Sequence, residues 1–185
     1  GSGKTRALTR RVAWMIRECG VAPYEILAVT FTNKAAGEMR ERVGELLGSA
    51  DGLWVSTFHS ACVRILRRDI GYLGFDTHFS IYDDSDQERL LKDVLKQLEV
   101  SDRFMKPRAA AAAIDSAKNR GLFPEDLPRT DSQSELVAQV YARYQKRLQQ
   151  ANALDFGDLL MQTQRLFDDH PKVLDSWRKR FRYIM

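Results

Sequence analysis

The chain has 185 residues, 44% of them apolar and 29% charged, with a formal net charge of +4. That composition suits an ordinary globular fold and excludes a disordered tail or a collagen-like repeat. Its longest apolar stretches, Ile26–Phe31 and Ala109–Ile114, are too short for a transmembrane helix, so no membrane partner is expected. The two cysteines, Cys19 and Cys62, can make neither a disulfide framework nor a metal site alone, and they point to a reduced, cytoplasmic setting. Residues 1–75 hold eleven basic side chains against seven acidic ones, while the rest is close to balanced. This bias permits nucleic-acid binding without requiring it.

The first residues, Gly1-Ser2-Gly3-Lys4-Thr5, match the second half of a phosphate-binding loop, G-x-x-x-x-G-K-[ST]. The expectation is a chain that starts in mid-motif. Leu8, Val12, Met15 and Ile16 recur at helical spacing, and Gly20 ends that helix. Ile26–Phe31 reads as a buried parallel strand. Asn33 is expected to cap a helix whose inner face is Ala36, Met39, Val43 and Leu47. Gly37 inside that helix costs about 1 kcal/mol relative to alanine. Leu53–Thr57 is the next strand, followed by a helix from His59 to Arg68. This alternation predicts an α/β domain with a parallel sheet.

The middle of the chain changes character. Phe79–Tyr82 is a brief strand. Ser85-x-x-Glu88 and Ser132-x-x-Glu135 read as capping boxes opening helices, and Pro107–Asn119 reads as a third helix. Residues 84 to 152 therefore form an almost wholly helical block, read as an insertion into the α/β domain. Asp155 and Asp158 open a further helix as caps rather than as paired catalytic carboxylates. Pro171 starts a short last helix, and Phe181–Met185 reads as a strand stopped in mid-course.

Three segments carry chemistry. Gly3-Lys4-Thr5 opening a helix offers backbone N–H groups and a helix N-terminus to phosphate, with Lys4 for the β- and γ-phosphates and the Thr5 hydroxyl for Mg²⁺; the alternative is an ordinary Gly-rich turn before a helix. Thr30-Phe31-Thr32-Asn33-Lys34 and Thr57-Phe58-His59-Ser60 each follow a strand, at the carboxyl end where open α/β sheets bind ligands. An aromatic ring beside small polar groups can stack a base and donate to a phosphate. Taken alone, Phe31 and Phe58 read first as core residues closing their strands, and His59 as a helix-capping or structural histidine. The basic groups Arg64, Arg67, Arg68 and Arg178–Arg182 read as solvated faces.

In this order and spacing, Gly1–Thr5, Ile26–Val43 (ILAVTFTNKAAGEMRERV) and Val55–Arg68 (VSTFHSACVRILRR) resemble the first three motifs of the UvrD/Rep/PcrA group of superfamily 1 DNA helicases. Asn152–Leu160 (NALDFGDLL) is similar to the segment preceding the Walker B strand in that group, except that Gly157 stands where an acidic residue is usual. The resemblance implies a RecA-like P-loop domain, at 1–76 and 153–185, carrying a helical insertion subdomain at 77–152. It implies ATP and Mg²⁺ as cofactors, with Gly1, Ser2, Gly3, Lys4, Thr5 and Arg6 around the nucleotide. It places Phe31, Thr32, Asn33, Lys34, Thr57, Phe58 and His59 on a single-stranded DNA track. The implied parent enzyme is an ATP-dependent helicase moving 3′ to 5′, with DNA and repair or replication proteins as partners. Without a Walker B acidic pair and a second domain, these 185 residues alone are expected to hydrolyse ATP negligibly. The alternatives are another P-loop phosphotransferase and a non-enzymatic nucleic-acid-binding module.

Overall fold

The structure is a computed structural model that describes residues 3–185, with the Lys4 side chain outside the description. The chain divides into two compact units, residues 1–64 with 166–185 and residues 65–165. The eight α-helices among the described residues are α1 Gly3–Arg17, α2 Asn33–Leu47, α3 Phe58–Asp69, α4 Asp84–Gln97, α5 Pro107–Asn119, α6 Ser132–Gln150, α7 Phe156–Asp169 and α8 Pro171–Arg180. The strands are β1 Ile26–Thr30, β2 Trp54–Thr57, β3 Ser80–Tyr82, β4 Ala153–Asp155 and β5 Tyr183–Ile184. The cuts between units fall inside α3 and α7, at 64/65 and 165/166, whereas the sequence-based boundaries are 76/77 and 152/153.

In the first unit, β1 lies between β2 and β5, and both pairings are parallel. Interior strands of a parallel sheet have no solvent face, which is why Ile26, Leu27 and Ala28 are apolar in succession and all buried. Register pairs Leu27 with Trp54 and Thr30 with Thr57. The β5 side is extended by Met185, whose N–H donates to the Leu27 carbonyl and whose carbonyl accepts from Val29. Helices α1 and α2 cover the sheet with Val12, Met15, Ala36, Met39 and Val43, forming one core with Ile26, Ala28 and Val55.

The cap of α2 is Thr32 rather than the expected Asn33. The Thr32 hydroxyl accepts from the Ala35 N–H at 3.1 Å, and Asn33 is the first helical residue. The helix ends on Gly48 at φ +82°, a left-handed conformation that favours glycine.

The second unit has its own core. Leu91, Val94, Ile114, Ala138, Tyr141, Tyr144 and Leu148 from α4, α5 and α6 are buried together. The cap readings shift here too. Asp83 caps α4 in a box with Asp86, and Asp131 caps α6 in a box with Ser134, each one or two residues before the serine expected from sequence. Aspartate accepts more strongly than serine at a helix N-terminus, because its charge also meets the helix dipole.

The second unit also contains strand, on either side of the helical block. β3 and β4 pair in parallel, Ser80 with Ala153 and Tyr82 with Asp155, as a separate two-stranded sheet. β4 escaped the sequence reading because three residues carry no usable periodicity. Asn152, at φ +47°, turns the chain into it and accepts the Asp76 N–H on its side chain and the Ser80 N–H on its carbonyl.

Asp155 and Asp158 do cap α7 reciprocally. The Asp158 N–H donates to Asp155 Oδ1 at 2.9 Å and the Asp155 N–H to Asp158 Oδ2 at 3.2 Å. They also receive a cation that sequence spacing does not reveal. Lys118 Nζ lies 2.6 Å from Asp155 Oδ2 and 2.8 Å from Asp158 Oδ1, with its side chain 1% exposed. Tyr144 donates its hydroxyl to Asp155, and Gln145 donates its amide to Asp158. Burial pushes the Asp158 carboxyl up, and the Lys118 ammonium opposes that shift. A Cβ on Gly157 would stand 2.8 Å from Lys118 Cδ and 3.2 Å from Lys118 Cβ. Glycine is therefore required where the lysine stem crosses the start of α7.

Candidate nucleotide and nucleic-acid site

The expected site residues fall into two groups in the first unit. The first group is the start of α1. Gly1 and Ser2 lie outside the described residues, as does the Lys4 side chain. Gly3 begins the helix, and a Cβ there would meet nothing within 4 Å, so its backbone is open to approach. Thr5 is half-buried and Arg6 exposed. Both border a cleft of about 580 Å³ between α1 and α2, together with Thr9, Arg10, Glu38 and Arg42. The Thr9 hydroxyl donates to the Arg6 carbonyl. Arg42 pairs with Glu38 at 3.7 Å, leaving Arg6 and Arg10 as the cations on the α1 wall.

A helix N-terminus, an open glycine, a threonine hydroxyl and arginines along one wall suit a polyphosphate with its counter-ion. Sequence reasoning found Arg6 and missed Arg10 and Arg42. Their signal was the four-residue spacing that puts Arg6 above Arg10 and Glu38 above Arg42. Among the described residues, no cluster of three histidine, cysteine or acidic side chains could hold a metal ion. A metal here would depend on Thr5 and the phosphates themselves.

The second group lies at the carboxyl ends of β1 and β2. Because Thr30 stands opposite Thr57 in a parallel pair, the next residues, Phe31 and Phe58, emerge side by side. Their ring centroids are 5.7 Å apart at 46°. Phe31 is 92% exposed and Phe58 43% exposed, so neither is a core residue. An exposed aromatic pair costs solvation unless something covers it.

Thr32, Asn33 and Lys34 are exposed beside Phe31, as is His59 beside Phe58. Thr57 is buried, and its hydroxyl receives the Ser60 N–H while donating to Ser60 Oγ, so it works as the cap of α3. Thr32 likewise holds α2. Two rings, an amide, an ammonium and an imidazole thus share one rim with the two cap residues beneath.

Arg64, Arg67 and Arg180 are not simply solvated. Arg67 lies 3.8 Å over the Phe79 ring and donates to the Thr77 carbonyl, while Arg64 and Arg180 both lie against Trp54. These partners lie ten or more residues away in the chain, beyond the reach of local spacing.

The family model for the UvrD/REP helicase N-terminal domain matches residues 1–185. The chain is 49% identical over 187 residues to the ATP-dependent DNA helicase PcrA of Bacillus subtilis (strain 168), covering 100% of the chain and 25% of that protein. It is 48% identical over 187 residues to PcrA of Staphylococcus aureus (strain NCTC 8325 / PS 47), covering 100% of the chain and 26% of that protein. The chain therefore spans about a quarter of the length of the curated relatives it matches.

Proposed function

The chain belongs to the UvrD/REP helicase N-terminal domain family, and from that premise we propose that it is the ATP-binding and strand-gripping part of a longer ATP-dependent DNA helicase. The observation that carries the reading is the exposed Phe31–Phe58 pair at the carboxyl ends of two parallel strands, in the same unit as a phosphate-binding sequence opening α1. The fold is a RecA-like P-loop domain, formed by residues 1–76 and 153–185, with residues 77–152 as a helical insertion subdomain.

In this reading Gly1, Ser2, Gly3 and Arg6 serve the nucleotide, with Lys4 for the β- and γ-phosphates. The Thr5 hydroxyl would help to hold Mg²⁺, which would supply charge neutralisation at the phosphates when bound. The chain's own task is to orient the γ-phosphate at the dipole of α1, because phosphoryl transfer is limited by positioning and charge rather than by covalent chemistry. Phe31 and Phe58 stack on bases, while Asn33, Lys34 and His59 hold backbone phosphates. Thr32 and Thr57 fix the starts of α2 and α3, and so the direction in which both rings point. The parent enzyme translocates 3′ to 5′ on single-stranded DNA and unwinds duplex in repair or replication.

The test uses the intact protein. DNA-stimulated ATP hydrolysis should fall about a hundredfold or more in Lys4→Ala, with single-strand binding retained. DNA binding that ignores both nucleotide and Lys4 would favour the non-enzymatic module. ATP turnover without any preference for single-stranded DNA would favour another phosphotransferase.

A further inference from the structure

The first unit has a second cleft at the amino-terminal end of β2, the end of the strand remote from Phe58. It measures about 400 Å³ and is lined by Gly52, Leu53, Trp54, Arg64 from α3 and Arg180 from α8. The Arg64 guanidinium lies 5.1 Å from the Trp54 ring centroid and that of Arg180 5.5 Å from it. Two cations thus border one indole.

Neighbouring arginines are neutralised: Arg178 faces Asp175 at 3.9 Å, and Arg182 faces Glu25 at 3.4 Å. Arg64 and Arg180 have no carboxylate partner among the described residues. Trp54 is 7% exposed, and its Nε1–H is buried without an acceptor. A buried donor left unpaired is costly and uncommon. Cation–π contact does not satisfy it, because the guanidiniums engage the ring face whereas the N–H points out along the ring edge.

Arg64 and Arg180 therefore present donors to the cleft, and the Trp54 N–H lies buried in a residue of its wall without an acceptor. Three donors arriving from three residues suit a tetrahedral oxyanion better than a planar carboxylate, which offers two oxygens. Bases have no platform here. Trp54, Trp177 and Phe181 pack on one another with centroids 4.7–5.6 Å apart, and Arg180 lies against all three rings. We propose that Arg64, Arg180 and the Trp54 indole N–H form a phosphate-binding site separate from the α1 loop, which takes either free inorganic phosphate or a nucleic-acid backbone phosphate.

The experiment uses the intact protein labelled with 5-fluorotryptophan, in a Lys4→Ala background so that phosphate at α1 does not contribute. Trp54→Phe assigns the Trp54 fluorine signal, and Trp14 on α1 serves as internal reference. Titration with inorganic phosphate, and separately with a short oligothymidylate, should move the Trp54 signal to saturation. Arg64→Gln and Arg180→Gln should each weaken that response about tenfold. Arg64→Lys and Arg180→Lys, which keep the charge and the stem over the ring, should give an intermediate loss and guard against misfolding. Saturation by phosphate identifies the free ion as a source, and saturation by the oligonucleotide alone identifies the nucleic-acid backbone. No saturable shift with either probe overturns the site, as does a shift that both glutamine variants leave unchanged.

Discussion

Each unit holds one cluster of charged and aromatic side chains, and the two clusters are arranged in opposite ways. The first turns Phe31, Phe58, Asn33 and Lys34 outward at the ends of a parallel sheet. The second draws Lys118, Asp155, Asp158 and Tyr144 into its interior, where every charge has a partner. The outward groups can meet a ligand but add little to stability. The inward groups meet nothing from outside, yet the packing of α5, α6 and α7 depends on them. Titratable residues close together therefore do not by themselves mark an active site. What separates the cases is whether partners from the same chain already use every donor and acceptor.

Substitutions can break this comparison. The largest expected effect is Lys118→Ala, which leaves two buried carboxylates facing each other without a cation. It should cost about 3–5 kcal/mol in chemical denaturation. Lys34→Ala, at an exposed position, should stay within about 0.5 kcal/mol of the parent protein. Equal losses for the two would end the distinction.

A pair of glycine substitutions should differ in sign. Gly157→Ala puts a methyl 2.8 Å from Lys118 Cδ, and the lysine cannot swing aside because both carboxylates hold its ammonium. The expected loss is about 1–3 kcal/mol. At Gly37 in α2 a Cβ meets nothing within 4 Å, so Gly37→Ala should gain about 0.5–1 kcal/mol. Melting curves of both variants check the prediction.

On the outward side, Phe31→Ala in the intact protein should weaken single-strand binding by about 1–3 kcal/mol in a fluorescence titration. Its folding stability should hardly change. An unaltered affinity would remove Phe31 from the strand-binding rim.

The smallest effect concerns pH. The Asp131 carboxyl is held below its ordinary 3.8, first by the Ser134 backbone N–H, then by that of Gln133 and by the Ser134 and Thr130 hydroxyls. A depressed carboxyl stabilises the fold above the unfolded value, and that contribution fades as pH falls through the folded value. Asp131→Asn keeps an acceptor at the cap without the charge. Its melting temperature should thus fall less than that of the parent protein on acidification below about pH 4, with the two curves running parallel near neutrality.

Much of the architecture was legible in the sequence. The apolar run Ile26–Phe31 matched β1, which stops one residue earlier at Thr30, and the helical spacing of Ala36, Met39 and Val43 matched α2, because an amphipathic helix imposes a repeating pattern and a buried strand a continuous apolar one. The caps at Thr32, Asp83 and Asp131 were each missed by one or two residues. Spacing alone cannot choose among adjacent side chains able to accept the same N–H groups.

By itself, the sequence determined the family and, β4 apart, the order of the helices and strands, since each depends on residues close together in the chain. Tertiary structure alone decided that Phe31 and Phe58 face solvent as a pair, since that follows from the register of β1 on β2. It also decided that Lys118 closes the Asp155–Asp158 pair from 37 residues away, and that Arg64 and Arg180 meet on Trp54. Such contacts join positions that share no local pattern. Only the folded backbone, by fixing which surfaces pack together, selects among the many pairings that charge and size would otherwise allow.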